Sequence, residues 1–191
     1  VVIYDQNTID EFHRIAGITH RIFEKVIREY LNHADYRALF PFSKELEELI
    51  LLPVPYQGLL PIARFDLFYN EETGQFYFCE SNTDGTAAMI RDLEMRKTLI
   101  HNPAHRSVEE MFDLEPFELF DSWVKTFLSL YGSYGKKKEN PHVALVDFLE
   151  NATIREFDEF VRCFRKAGVQ CEIVDARKLR YRDGVLYSED D

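Results

Sequence analysis

The spacing of apolar residues changes period repeatedly along the chain, and this restricts the fold more than any other feature. Over residues 8–33, Phe12, Ile15, Ile22, Phe23, Val26, Ile27 and Tyr30 recur three and four apart, which predicts one long amphipathic helix covering a sheet. Thr8 and Glu11 are spaced as a capping box at its start. A shorter helix is expected from Ser43, whose hydroxyl can cap it, with Glu45 and Glu47 near the positive end of its dipole. The prolines of LLPVPYQGLLP then force an extended connection, because the residue before a proline is pushed out of the helical region. From residue 62 to 82 the pattern becomes period two around the turn EETGQ, which predicts a β-hairpin.

Helical spacing returns in TAAMIRDLEMRKTLI, expected to end at HNP, and in FELFDSWVKTFLSLYG, preceded by Ser107 and Glu110 as a second capping box. The run GSYGKKKENP has no apolar period and reads as a linker, dividing the chain into 1–135 and 142–191. Beyond it HVALVDFLE is a continuous apolar strand. A helix capped by Thr153 and Glu156 runs to Gly168, and VQCEIVD is a second strand. That order is a βαβ unit with a parallel pair. Asp183-Gly184 marks a final hairpin turn. The class is α/β: long helices on a mixed sheet containing an antiparallel hairpin, followed by a Rossmann-like βαβ unit.

Composition removes several kinds of function. With 34 acidic and 23 basic residues the formal charge is −11, which repels a nucleic-acid backbone. No apolar run is long enough for a bilayer and no signal-like segment opens the chain, so no membrane partner and a cytoplasmic location are expected. Cys79, Cys163 and Cys171 make no Cys-x-x-Cys pair and an odd count, which signals neither a disulfide framework nor a thiolate zinc site. GSYGKKK lacks the glycine spacing, the Ser or Thr and the preceding strand of a phosphate loop. His101 and His105 are separated by Pro103, which disfavours a helix carrying both.

The hairpin carries the chemistry. Side chains alternate on a strand, so Arg64, Asp66 and Phe68 share a face, as do Phe76, Phe78, Glu80 and Asn82. A register pairing Phe68 with Phe78 also pairs Asp66 with Glu80 and Arg64 with Asn82, which gathers four polar groups at one end of one face. Cys79 then alternates onto the opposite face as a small core residue. Opposed carboxylates about 5 Å apart repel by roughly 3 kcal/mol at an effective dielectric of about 20. A hard divalent cation offsets that repulsion. Asp66, Glu80 and Asn82 form an oxygen set of the kind Mg²⁺ accepts, with Arg64 beside it to meet a phosphate or a developing negative charge. The alternative is a solvated polar face that binds nothing.

The pattern Arg64-x-Asp66, a turn, then Glu80-x-Asn82-x-Asp84 resembles the metal-binding hairpin of the glutathionylspermidine synthase family, whose ATP-grasp domain is circularly permuted. The apolar βαβ after residue 142 is similar in texture to the segment that follows the hairpin there. The resemblance implies partial ATP-grasp architecture and an ATP-dependent carboxylate–amine ligase. In such an enzyme ATP phosphorylates a carboxylate, and an amine displaces phosphate to form an amide. It further implies Asp66, Glu80 and Asn82 as Mg²⁺ ligands, Arg64 as the residue stabilising the transferring phosphoryl group, and Asp84 and Thr86 as substrate contacts. The substrates would be a small-molecule or peptide carboxylate and an amine. The family's adenine- and triphosphate-binding elements come later than anything matched here, so the chain is expected to be the N-terminal portion of a longer ligase and inactive alone. A different class of function, a non-catalytic binding module that keeps the cation hairpin, fits the same residues.

Overall fold

The computed structural model describes residues 2–56, 58–83 and 87–188. The fold is mixed α/β, with seven α-helices and six strands among the described residues. Among the described residues the strands form three separate two-stranded sheets, and the hairpin stands alone rather than within the larger mixed sheet expected. The reason lies in how the chain divides. Val1–Thr86 and Ala87–Asp191 are two compact units, and the hairpin and the βαβ fall in different ones.

In the first unit α1 spans Gln6–Asn32. Its cap is Asp5, whose carboxylate accepts the Thr8 N–H at 2.8 Å, so the helix starts before the expected Thr8–Glu11 box. α1 lies along the hairpin formed by β1 (Arg64–Tyr69) and β2 (Phe76–Asn82). The packing is aromatic: Phe12 meets Tyr69 edge-on at 4.9 Å, and Phe23 contacts both Phe65, at 5.7 Å, and Phe78, at 5.8 Å. Each such pair adds about 0.5–1.5 kcal/mol beyond burial of its area. Ile22, expected in the stripe, is exposed, because its position rotates it to the stripe's edge. A short α2 (Ala34–Arg37) follows, and then α3 (Lys44–Ile50), capped by Ser43 as its sequence predicts. Arg37 donates from Nη1 to the carbonyls of Tyr30 and Leu31 at the end of α1 and from Nε to Glu47 at 3.1 Å. His20 Nε2 lies 2.9 Å from the carbonyl oxygen of Leu60, which ties the proline-containing segment to α1.

The second unit has one core. α4 (Met89–Leu99), α6 (Phe120–Gly132) and α7 (Ile154–Lys166) bury Ile90, Phe120, Val124, Phe160, Cys163 and Phe164 together with Cys171 of β4 (Gln170–Asp175). Helices before the 132–141 linker thus pack on the βαβ after it, and a division into 1–135 and 142–191 is not the one the packing makes. Strand β3 (His142–Asp147) pairs in parallel with β4, register Val143 to Cys171 and Asp147 to Asp175. α7 ends as expected at Gly168, φ +80°: the Val169 N–H bonds the Phe164 carbonyl and the Gly168 N–H that of Arg165. β5 (Arg180–Arg182) and β6 (Val185–Tyr187) form the last hairpin, with Asp183 and Gly184 both at positive φ as a type I′ turn requires.

α4 ends before HNP as expected, and Pro103 begins a separate helix, α5 (Pro103–Glu109), where its missing N–H is one of the unpaired ones anyway and Asn102 is the cap, so no one helix carries both His101 and His105. Two expected capping boxes do not form here. Ser107, expected to cap, lies inside α5 and donates back to the Pro103 carbonyl. The Thr153–Glu156 box also does not form through side chains. Glu156 is buried instead, and its carboxylate accepts N–H groups of Ala88 at 3.0 Å and Ile90 at 3.4 Å, capping α4 from a distant element.

Candidate functional site

The hairpin turn is built by Asn70, whose Oδ1 accepts the N–H of Glu72 and Thr73, while Gly74 takes the left-handed conformation at φ +69°. From that turn the antiparallel register runs Tyr69 to Phe76, Phe68 to Tyr77 and Leu67 to Phe78. It then shifts by one residue at Cys79, so that Asp66 pairs with Glu80 and Arg64 with Asn82. The polar pairs are those expected. The aromatic ones are not: Phe68 faces Tyr77 rather than Phe78.

The shift is a β-bulge, and it resolves a conflict within the sequence. Phe76 and Phe78 have the same parity as Glu80 and Asn82, so an unbroken strand would put all four on one face. The extra residue resets the alternation. Phe78 turns toward Phe23 of α1, on the side of Phe65, while Glu80 and Asn82 stay with Asp66 and Arg64 on the other side. Phe68 and Tyr77, each 67% exposed, share this outer face. Cys79, expected in the core, is exposed as the bulge residue.

On the outer face each acid has a donor from its own strand. Arg64 grips Asp66 with two bonds, Nε to Oδ1 at 2.9 Å and Nη2 to Oδ2 at 3.3 Å. Asn82 donates from Nδ2 to Glu80 Oε1 at 3.1 Å, which leaves its Oδ1 as the acceptor end. Arg64 is therefore committed to Asp66 and not held apart for a ligand, as the sequence suggests. Asp84 and Thr86 lie outside the described residues.

Among the described residues, no group of three or more His, Cys, Asp or Glu side chains is arranged to hold a metal ion. The hairpin offers two carboxylates and one amide. A carboxylate has about four lone-pair sites, so Asp66 retains acceptor capacity beside its two bonds to Arg64. That donor set fits a hard cation that keeps several waters, as Mg²⁺ does, and does not fit an all-protein zinc cage.

Other polar groups were not legible beforehand. Asp175, at the carboxyl end of β4, is buried and accepts from Arg177 Nε at 2.7 Å and Nη2 at 2.6 Å; the same guanidinium binds Glu150, in the loop after β3, at 3.1 and 2.5 Å. Side-chain bonds from Arg177 hold the Asp175 carboxyl well below the usual carboxylate range. The signal available in the sequence was the Val-Asp pair closing both strands. Cys163 and Cys171 are buried, and burial pushes each thiol up to about 11, which removes both as nucleophiles at neutral pH. A cavity of about 520 Å³ lies where β3 and β4 begin, lined by His142, Arg165, Gly168, Val169, Gln170 and Cys171; no hairpin residue borders it. No described helix is long and apolar enough to cross a membrane.

No protein-family model matches the chain, and neither does any curated protein or solved structure.

Proposed function

We propose that the outer face of the β1–β2 hairpin is the Mg²⁺ site of an ATP-dependent carboxylate–amine ligase resembling glutathionylspermidine synthase. One observation carries this: the register that sets Asp66 opposite Glu80 and Arg64 opposite Asn82, on the face turned away from α1. Opposed carboxylates are costly on a sheet unless something positive offsets them. Arg64 supplies part of that charge at Asp66, and among the described residues Glu80 has an amide N–H from its own strand as its one hydrogen-bond donor.

In this proposal Asp66 and Glu80 are the anionic ligands and the Asn82 Oδ1 the neutral one. A bound Mg²⁺ would neutralise charge on phosphate oxygens. Arg64 fixes the rotamer of Asp66 and places positive charge beside the acids, where a transferring phosphoryl group gathers negative charge. The resemblance assigns the adenine-binding elements to other residues, so these 191 residues bind the metal and turn over no ATP by themselves.

Calorimetry and thermal melting with Mg²⁺ or Mn²⁺ test the site. The expected result is a heat of binding and a raised melting temperature, both lost in the Asp66→Asn, Glu80→Gln double variant. An equal response in that variant, or none in the unaltered chain, overturns the assignment. ATP turnover by the 191 residues contradicts the division of labour but not the metal site.

A further inference from the structure

We propose that the cavity of about 520 Å³ where β3 and β4 begin is a binding site for a small organic anion, whose phosphate or carboxylate oxygens meet the guanidinium of Arg165. The volume is that of an ordinary small-molecule site, which spans roughly 300–1,000 Å³. Its polar lining has one character. Arg165, His142 and Gln170 offer N–H donors, and among the described residues the lining holds no carboxylate. In a chain with 34 acidic residues against 23 basic ones, that selection runs against the average surface. Val169 and Cys171 add an apolar wall, which suits a short carbon skeleton behind the anionic head. The cavity belongs to the second unit, so the proposal does not rest on the metal site of the hairpin.

Arg165 differs from the cations beside it on α7. Glu159 holds Arg162 through two bonds and Asp121 holds Lys166, whereas the Arg165 guanidinium makes no hydrogen bond or ion pair among the described residues. Burial pushes the Cys171 thiol up, and the charge of Arg165 opposes that rise, which places the guanidinium on the cavity side of the helix. The negative end of the helix dipole favours a cation here, but Lys166 already supplies one, and the dipole requires neither an imidazole nor an amide alongside. The N–H groups of Gly168 and Val169 are spent on the carbonyls of Arg165 and Phe164, which removes two oxygens that could compete for the guanidinium. Glu172, next along β4 from the lining, accepts from the Ser188 hydroxyl at 3.2 Å and lies 3.8 Å from His142 Nε2; it is not bonded to Arg165. A planar guanidinium fork with no carboxylate of its own matches two oxygens of a phosphate or carboxylate at once.

The test is calorimetry of the full chain in metal-free buffer, titrated with glycerol 3-phosphate and with citrate, and with glycerol as the uncharged control. At least one of the two anions is expected to give a heat of binding that weakens with salt, and glycerol none. A response to the phosphate ester alone, or to citrate alone, supports the site and names its head group. Arg165→Gln, at an exposed position, is expected to reduce the affinity about tenfold or more, as loss of charge-assisted hydrogen bonds does. Arg155→Gln makes the same change of charge at an exposed position of α7 outside the cavity, and is expected to leave the affinity unchanged. No heat from either anion, an equal response to glycerol, or an equal loss in Arg155→Gln overturns the proposal.

Discussion

At the scale of single residues, buried charge in this protein is paired by hydrogen bonds from elsewhere in the fold. Glu156 shows the pattern: α4 begins at Ala88 in the left-handed conformation, φ 82°, with no capping side chain of its own, and the carboxylate of α7 takes the N–H groups left unpaired. Asp175 shows it again, accepting the Leu149 N–H of the loop after β3 at 3.4 Å, while Arg177, two residues along, binds it and also Glu150 of that loop. Because its folded value is depressed, the Asp175 carboxylate contributes stability that is present above the ordinary aspartate value of about 3.9 and is lost as pH falls through the folded value. Arg177→Leu is therefore expected to lower stability at pH 7. The gap to the unaltered protein narrows below about pH 4, as the carboxylate of the unfolded chain takes up its proton. Urea denaturation across that range measures it; a gap independent of pH would contradict the pairing.

At the scale of elements, the bulge at Cys79 matters most for the candidate site. It lets one strand present rings to α1 and acids to the outside although both sets have the same parity. The cysteines report on it directly. Cys79 is exposed whereas Cys163 and Cys171 are buried with raised pKa values, so a thiol reagent is expected to modify one cysteine rapidly in the folded protein and the other two only on unfolding. Slow reaction at Cys79 would mean that it packs inward and that the register is unbroken, leaving Glu80 on the same side as Phe78.

At the scale of the whole molecule, the first unit buries Ile15, Tyr30 and Leu60, while the second has a core around Phe164. Trp123, the single tryptophan, belongs to the second, stacked on Phe127 at 5.5 Å and edge-on to Phe160 at 4.8 Å. Its fluorescence thus follows the unfolding of that unit. Phe164 is fully buried, and Phe164→Ala is expected to cost about 3–5 kcal/mol, read as an earlier fluorescence transition in denaturant. Unfolding of the two units at different denaturant concentrations would appear as a circular-dichroism transition broader than the fluorescence one.

By itself the sequence determined most of the elements and the polar part of the hairpin's pairing. The 3.6-residue period of α1, α6 and α7, the Ser43 cap, the Asp183-Gly184 turn and the opposition of Asp66 to Glu80 all depend on residues close along the chain or across one short turn. Tertiary structure decided the rest: that Phe78 turns to α1 through a bulge, that Glu156 caps another helix, that α3 holds its carboxylate inward and its leucines out, and that the chain divides after residue 86. Each of those outcomes is set by a partner far away in sequence. Periodicity records which faces are apolar, while the choice of what covers them follows from packing and from the cost of leaving buried polar groups unpaired.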